Sequence, residues 1–255
     1  MEVKLLQSYP DECSAYRGAG ICIGVAGTET NLKVALANGH YSVVEHLPLT
    51  IEIDGISRTC SHQLVRHRIA SYSQASQRYI KLNKHSLNTI SDIMRESLFT
   101  SIEEVDKLYE ELDKYIKVLS MKEFIERGII NYPYIEYLKQ IANNLIHTFN
   151  LYSTMLEDYN FKPEDARDVL PSSIKTSLVM TLNARSLIEI CKERLCEQAQ
   201  EEIRILFYKI KELIQDVYPT VYKYCEPKCH FSKCIERRPC SRKGVKNEFK
   251  EREIR

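Results

Sequence analysis

The sequence predicts an α+β fold, an antiparallel β-sheet packed with long helices, from three observations. Leu49-Thr50-Ile51-Glu52-Ile53-Asp54 alternates apolar and polar residues with the period of two that turns one strand face toward a core. Ile102, Val105, Leu108, Leu112, Tyr115 and Leu119 recur at helical spacing, as do Ile135, Leu138, Ile141, Leu145, Phe149 and Tyr152. Strands thus come early and helices late, the order of an α+β domain.

Taken along the chain, Val3 to Tyr9 is short and partly alternating and ends at Pro10, so it reads as an opening strand. Thr28 to Ala37 reads as a helix that Gly39 ends, and His40 to His46 as a polar connection into the strand at Leu49. Asp54-Gly55 predicts a turn closing that strand, and Ser57 suits the cap of a helix running through Leu64 toward Arg66. Periodicity is lost from Ile69 to Tyr79, which is read as a loop. Pro163 opens a first helical turn, Pro171 breaks the chain, and Ser186 with Glu189 forms an S-x-x-E capping box. A last helical pattern runs from Leu187 to Val217 before Pro219. Residues 1–222 are read as one domain. Residues 223–255 carry eleven Lys or Arg against five Asp or Glu and are read as an appended basic tail.

At 255 residues and 44% apolar content the chain has ample material for a core, and a net charge of +1 argues against wholesale neutralisation of a nucleic-acid backbone. No apolar run approaches the roughly 20 residues of a membrane span. Met1 to Asp11 lacks an apolar export signal, so a cytoplasmic protein with reduced thiols is expected in spite of nine cysteines. Cys225, Cys229, Cys234 and Cys240 lack paired CxxC spacing; a metal cluster and free thiols both stay open, and no metal is assigned.

Gly55 to Ser91 contains no Asp or Glu but six cations, Arg58, Arg66, Arg68, Arg78, Lys81 and Lys84. Within it, Arg66, His67, Arg68, Ser71, Ser73, Gln74, Ser76 and Arg78 combine fixed charge with neutral hydrogen-bonding groups. Guanidinium groups grip phosphate oxygens in bidentate fashion while amides and hydroxyls orient a polar ring edge. By spacing alone, a phosphate-bearing ligand and a solvated basic face are both open, and a nucleotide- or nucleic-acid-binding module without catalysis is the competing class.

Arg66-His67-Arg68 followed after seven residues by Ser76 closely resembles the signature of the flavin-dependent thymidylate synthases. Gly39-His40-Tyr41-Ser42-Val43-Val44-Glu45-His46, Gln63, Ala166-Arg167-Asp168-Val169-Leu170-Pro171, Asn183-Ala184-Arg185-Ser186-Leu187, Arg194 and Ala199 to Arg204 resemble further blocks of that family, in the same order. The resemblance implies reductive methylation of dUMP to dTMP, with methylenetetrahydrofolate as carbon donor and FAD reduced by NADPH. It also implies a homotetramer with active sites shared between subunits, and neither nucleic acid nor membrane as partner. By the same carry-over FAD is held by Ser42, Arg66, His67, Arg68, Gln74, Asn183, Arg185 and Glu189. dUMP is held by Gln63, Arg66, Gln74, Ser76, Arg78, Arg167 and Arg194. Arg194, Ser76 and His40 stand at the reacting centre, Ser76 as a positioning group and not a nucleophile, since no His is placed as its base. The chain departs from the family at Glu189, where Asn is frequent, and at Ile21 to Gly24 and Gln198. Glu189 is open between a flavin contact and the capping box, and Glu45 and His46 between bracing and ligation.

Overall fold

A computed structural model describes residues 1–80, 88–97, 99–126, 133–237 and 239–240. Lys81, Lys84 and the tail from 241 onward lie outside the described residues. In chain order the elements are β1 (Glu2–Ser8), α1 (Cys13–Cys22), α2 (Glu29–Ala37), β2 (Pro48–Ser57), α3 (Arg58–Leu64), β3 (Ser71–Gln74), α4 (Asn88–Glu96) and α5 (Ile102–Tyr115). They continue with α6 (Met121–Glu126), α7 (Tyr134–Glu157), α8 (Pro163–Ala166), β4 (Lys175–Asn183), α9 (Ala184–Arg194), α10 (Glu201–Leu213) and α11 (Pro219–Tyr222). The chain divides into two compact units, one of Met1–Asp54, His62–Ser73 and Leu178–Arg255, the other of Gly55–Ser61 and Gln74–Ser177.

The four strands form one sheet in the order β1-β2-β4-β3. β1 runs antiparallel to β2, with Val3 opposite Ile53 and Ser8 opposite Leu49, and the register slips between Leu5 and Gln7. Leu6 is the extra residue of that bulge and is half exposed. β2 and β4 are antiparallel too: Ala184 N–H reaches Leu47 O at 2.9 Å and Arg58 N–H reaches Ile174 O at 2.9 Å. Leu49, Ile51 and Ile53 on β2 and Leu178, Met180 and Leu182 on β4 are buried, so the alternation in the sequence is the core face of the sheet.

β2 does not stop at Asp54 as expected. Its pairing with β1 ends there, where Glu2 faces Asp54, but Gly55 takes φ +73° and the strand continues to Ser57. A glycine is required because only it enters the left-handed region without a Cβ penalty. Ser57 then caps α3, its Oγ accepting Cys60 N–H at 3.0 Å. β3 and β4 were not foreseen. β3 is four residues, too short for a pattern, and β4 sits among helical segments whose periodicity masks its own. α1 was also missed; Gly18 and Gly20 dilute its apolar stripe.

α2 begins at Thr28, whose side chain accepts Asn31 N–H at 3.3 Å, and ends in a Schellman turn. Gly39, at φ +80°, donates to Leu36 O at 3.0 Å and His40 donates to Ala35 O at 2.9 Å. The second unit has its own core, in which Ile90, Ile93, Leu108, Leu112, Leu138, Leu145, Phe149 and Ile174 are buried together. α5 ends at Tyr115, short of the expected Leu119, because Ile116 leaves the helix to bridge Ile174.

The first unit is tied across the length of the sequence by one buried carboxylate. Glu12, 1% exposed, accepts both Thr220 N–H and Val221 N–H at 2.9 Å, the open donors at the start of α11. Its second oxygen accepts the Tyr16 hydroxyl at 3.2 Å. Beside it the Tyr218 hydroxyl donates to Pro48 O and accepts Tyr9 N–H, both at 2.9 Å. Residues just past 222 are likewise packed: Cys225 and Cys229 are buried, and Lys211 pairs with Glu226. Among the described residues no three His, Cys, Asp or Glu side chains gather to hold a metal ion, and no helix is long and apolar enough to cross a membrane. Glu12→Ala strands two buried N–H groups and is expected to cost about 3 kcal/mol, whereas Glu12→Gln keeps an acceptor and should cost about 1 kcal/mol. Chemical denaturation midpoints distinguish the two, and equal midpoints would contradict the assignment.

Candidate active site

The residues singled out in the sequence fall into both units. In the first, α3 delivers Gln63 and the turn after it delivers Arg66, His67 and Arg68. His67 N–H closes on Leu64 O at 3.1 Å. The half-buried Tyr72 of β3 fixes this turn from behind, its one hydroxyl proton shared between Leu64 O at 3.0 Å and His67 O at 2.9 Å. Burial pushes the Tyr72 phenol up to about 12, so it remains a donor at any physiological pH. Arg66 and Arg68 are exposed.

Arg194, at the end of α9, is brought to this turn. Its Nε–H donates to His67 Nε2 at 2.9 Å and an Nη donates to Gln63 O at 3.4 Å. The Gln63 amide in turn donates to Gln200 Oε1. His67 can accept from a guanidinium only through a lone pair, so Nε2 is unprotonated and the imidazole is neutral. Burial holds its pKa below the ordinary value, the charge of Arg194 lowers it further, and Glu193 opposes both.

At the other end of α9, Asn183 is the helix N-cap, its side-chain oxygen accepting Ser186 N–H at 2.9 Å. Ser186 is therefore the third residue of the helix and not its cap. This corrects the expected S-x-x-E box: Ser186 is buried, and Glu189 pairs with Lys192 at 2.7 Å. Arg185, exposed in the first turn, pairs with Glu45, which gives Glu45 a bracing role. His40 and Ser42 are exposed on the 3-10 turn Tyr41–Val44 that follows α2, a turn seated by the burial of Val43 and Val44.

In the second unit Gln74 Nε2 donates to Ser61 Oγ at 2.9 Å and to Thr176 Oγ1 at 3.3 Å. Ser76 Oγ accepts Arg78 N–H at 3.3 Å, a local turn contact and not the activation of a nucleophile. Arg78 pairs with Glu164 at 2.6 Å, and Arg167 lies in the 3-10 turn after α8. In the sequence Arg58 is only one cation among the six of the acid-free stretch. Its Nη2 donates to Ala75 O at 2.9 Å, between Gln74 and Ser76, while its Nε is buried without a partner among the described residues. Burial and then the neighbouring charge of Arg167 lower its pKa. Arg58 thus holds the backbone of the segment that carries two candidate ligands. Its position eight residues before Arg66 gave no such signal.

The neutral His67 has a pH consequence. Because the folded state takes up this proton less readily than the unfolded chain, the contribution of His67 is complete above the ordinary histidine pKa of about 6.5. It is lost as pH falls through the depressed folded value. The unfolding free energy of the wild type is expected to fall relative to that of His67→Gln, whose amide oxygen still accepts from Arg194, as pH is lowered from about 7.5 to below about 6.5. Parallel profiles would show that His67 carries no such linkage.

The chain can be set beside known proteins on this geometry. The family described as thymidylate synthase complementing protein matches residues 7–220. The flavin-dependent thymidylate synthase of Clostridium tetani is 32% identical over 251 residues, covering 92% of this chain and 91% of that protein. The enzyme of the same name from Sulfolobus acidocaldarius is 33% identical over 201 residues, and the match spans 79% of this chain but only 62% of that longer protein. Among solved structures, the flavin dependent thymidylate synthase of Helicobacter pylori complexed with FAD and dUMP shares the fold. Its TM-score is 0.62 at 21% identity, with 89% of this chain and all of that one covered. A family match across most of the chain, together with a relative aligned over nine-tenths of both sequences, shows that this chain belongs to the flavin-dependent thymidylate synthases.

Proposed function

We propose that the chain forms dTMP from dUMP by reductive methylation, with methylenetetrahydrofolate as carbon donor, NADPH as reductant and FAD as redox carrier. The observation that carries this reading is the alignment over nine-tenths of both chains with the Clostridium tetani enzyme, in a protein whose Arg194 is already locked onto the motif histidine.

The side chains present suit a flavin dinucleotide. Arg66 and Arg68 are exposed cations in a stretch without a single carboxylate, fit for a pyrophosphate. Asn183 spends its oxygen on the helix cap and keeps its NH2 for a ring edge. Ser42, His67, Gln74, Arg185 and Glu189 complete the proposed cofactor set, with Glu189 the least suited because it is a carboxylate engaged by Lys192. When bound, the flavin supplies hydride chemistry that no side chain can perform.

The residues of the chain perform the remaining tasks. Arg78 takes the dUMP phosphate, exchanging its exposed pairing with Glu164 for a dianion, a favourable trade because surface ion pairs contribute about 1 kcal/mol or less. Ser76, Gln74, Arg167, Gln63 and Arg66 orient the nucleotide. Arg194, its guanidinium fixed by His67 and by Gln63 O, is aimed to stabilise negative charge developing on a uracil carbonyl without reorganising. His40 borders the flavin and folate. The protein assembles as a homotetramer with active sites shared between subunits. Ile21, Ile23 and Ile69, each at least 65% exposed in the isolated chain, are apolar surface that such an assembly would cover.

The test combines dUMP, NADPH, FAD, methylenetetrahydrofolate and the purified protein and follows dTMP. Product formation is expected, and its absence from protein loaded with FAD would refute the reading. Arg78→Ala should weaken dUMP binding by at least about tenfold, the scale of a lost charged hydrogen bond, while FAD binding stays at the wild-type level; unchanged dUMP affinity removes Arg78 from the phosphate site. Light scattering should give four times the chain mass of 29.8 kDa, and a monomer or dimer mass would remove the tetramer.

A further inference from the structure

The family match ends at residue 220, yet the next turn of chain is packed against elements of the proposed cofactor set. The Tyr224 ring meets Tyr41 edge-on, with centroids 6.3 Å apart and planes at 74°. Tyr224 is backed by Phe231, stacked at 5.7 Å and 13°, and Phe231 by His230 at 4.8 Å. Tyr41 is engaged again from α9, where Lys192 Nζ stands 4.4 Å from its ring centroid while also pairing with Glu189. Lys228, from the same C-terminal segment, pairs with Glu193 at 3.8 Å, the residue beside Arg194.

Tyr41 lies between His40 and Ser42 and opens their 3-10 turn, its N–H bonded to Gly39 O at 3.0 Å. One short turn therefore carries two candidate ligands on either side of a ring that is held from two other parts of the chain. A turn of four residues has little rigidity of its own.

We infer that the segment from Tyr224 to Phe231 is a brace for the cofactor set, with Tyr224 as a positioning residue acting through Tyr41 on His40 and Ser42. The inference rests on the cofactor assignments proposed above. The task of Tyr224 is to lower the entropy lost when the turn is ordered on a ligand.

The experiment titrates FAD into the full-length protein, following quenching of flavin fluorescence, and measures the melting temperature of each variant. Tyr224→Ala is expected to weaken FAD binding by up to about tenfold, the upper worth of an aromatic pair, and Tyr224→Phe, which keeps the ring, should restore wild-type affinity. A Tyr224→Ala protein with wild-type FAD affinity overturns the brace even if its melting temperature falls, because a merely structural residue behaves in that way. Equal weakening by Tyr224→Phe overturns it as well, by assigning the effect to the hydroxyl. Should Tyr224→Ala fail to fold, Phe231→Ala carries the test: it removes only the backing ring, about threefold weaker binding is expected, and no change overturns the proposal. Wild-type protein that quenches no flavin fluorescence overturns the cofactor reading, and the brace with it.

Discussion

The hydrogen bond from Arg194 to His67 is the constraint around which the first unit is arranged. It joins the last turn of α9 to the turn that follows α3, two segments more than a hundred residues apart in sequence. A guanidinium cannot be deprotonated in a protein, so the proton inventory of the pair falls entirely on the imidazole. Several neighbours favour a neutral acceptor at that point, while the charge of Glu193 opposes them. Partial burial disfavours the imidazolium, Tyr72 anchors the His67 carbonyl, and Gln200 engages Gln63, whose carbonyl steadies the second arm of the guanidinium. The sheet supports this from below, since β4 leads directly into α9 through the Asn183 cap.

In the second unit a comparable economy governs the segment after β3. Gln74 and Ala75 are fixed by three different kinds of contact: a side-chain amide on Ser61 and Thr176, a backbone bond from Ala75 N–H to Ser177 O at 2.9 Å, and the Arg58 guanidinium on Ala75 O. Arg58 is costly where it stands, with a buried Nε and Arg167 for a neighbour. Sites that must attract anions commonly tolerate such expense.

Much of this was legible from residue order alone, and the failures have physical causes. The half-buried face of β2 and the stripes of α5 and α7 were visible because each element buries one face, which imprints a period on the sequence. β3 was invisible because four residues cannot show a period, and α1 because small residues replace its large apolar ones. Gly55 misled because a glycine inside a strand and a glycine after one look the same until pairing partners are known. The candidate residues His40, Arg66, His67, Asn183 and Arg194 could be named from motif order, but not what they do to one another. That Arg194 rests on His67 depends on two segments meeting in space, and neither sequence neighbourhood records it. Arg58 shows the converse: it acts on a backbone carbonyl, and a contact to backbone leaves no trace in the identity of the residue contacted.

The bond from Glu12 to the start of α11 bears on the order in which the protein can be made. The first unit is assembled from three stretches of chain, and its buried carboxylate waits for Thr220 and Val221. The second unit needs nothing beyond Ser177. On a ribosome, where segments emerge from the N-terminus onward, the later-starting unit is thus the first whose parts are all available. β1 finds its partner β2 early in synthesis, and Tyr16 is at hand to donate to Glu12, but the two N–H groups that complete the carboxylate's bonding arrive only with α11, so the N-terminal end of this unit is closed last.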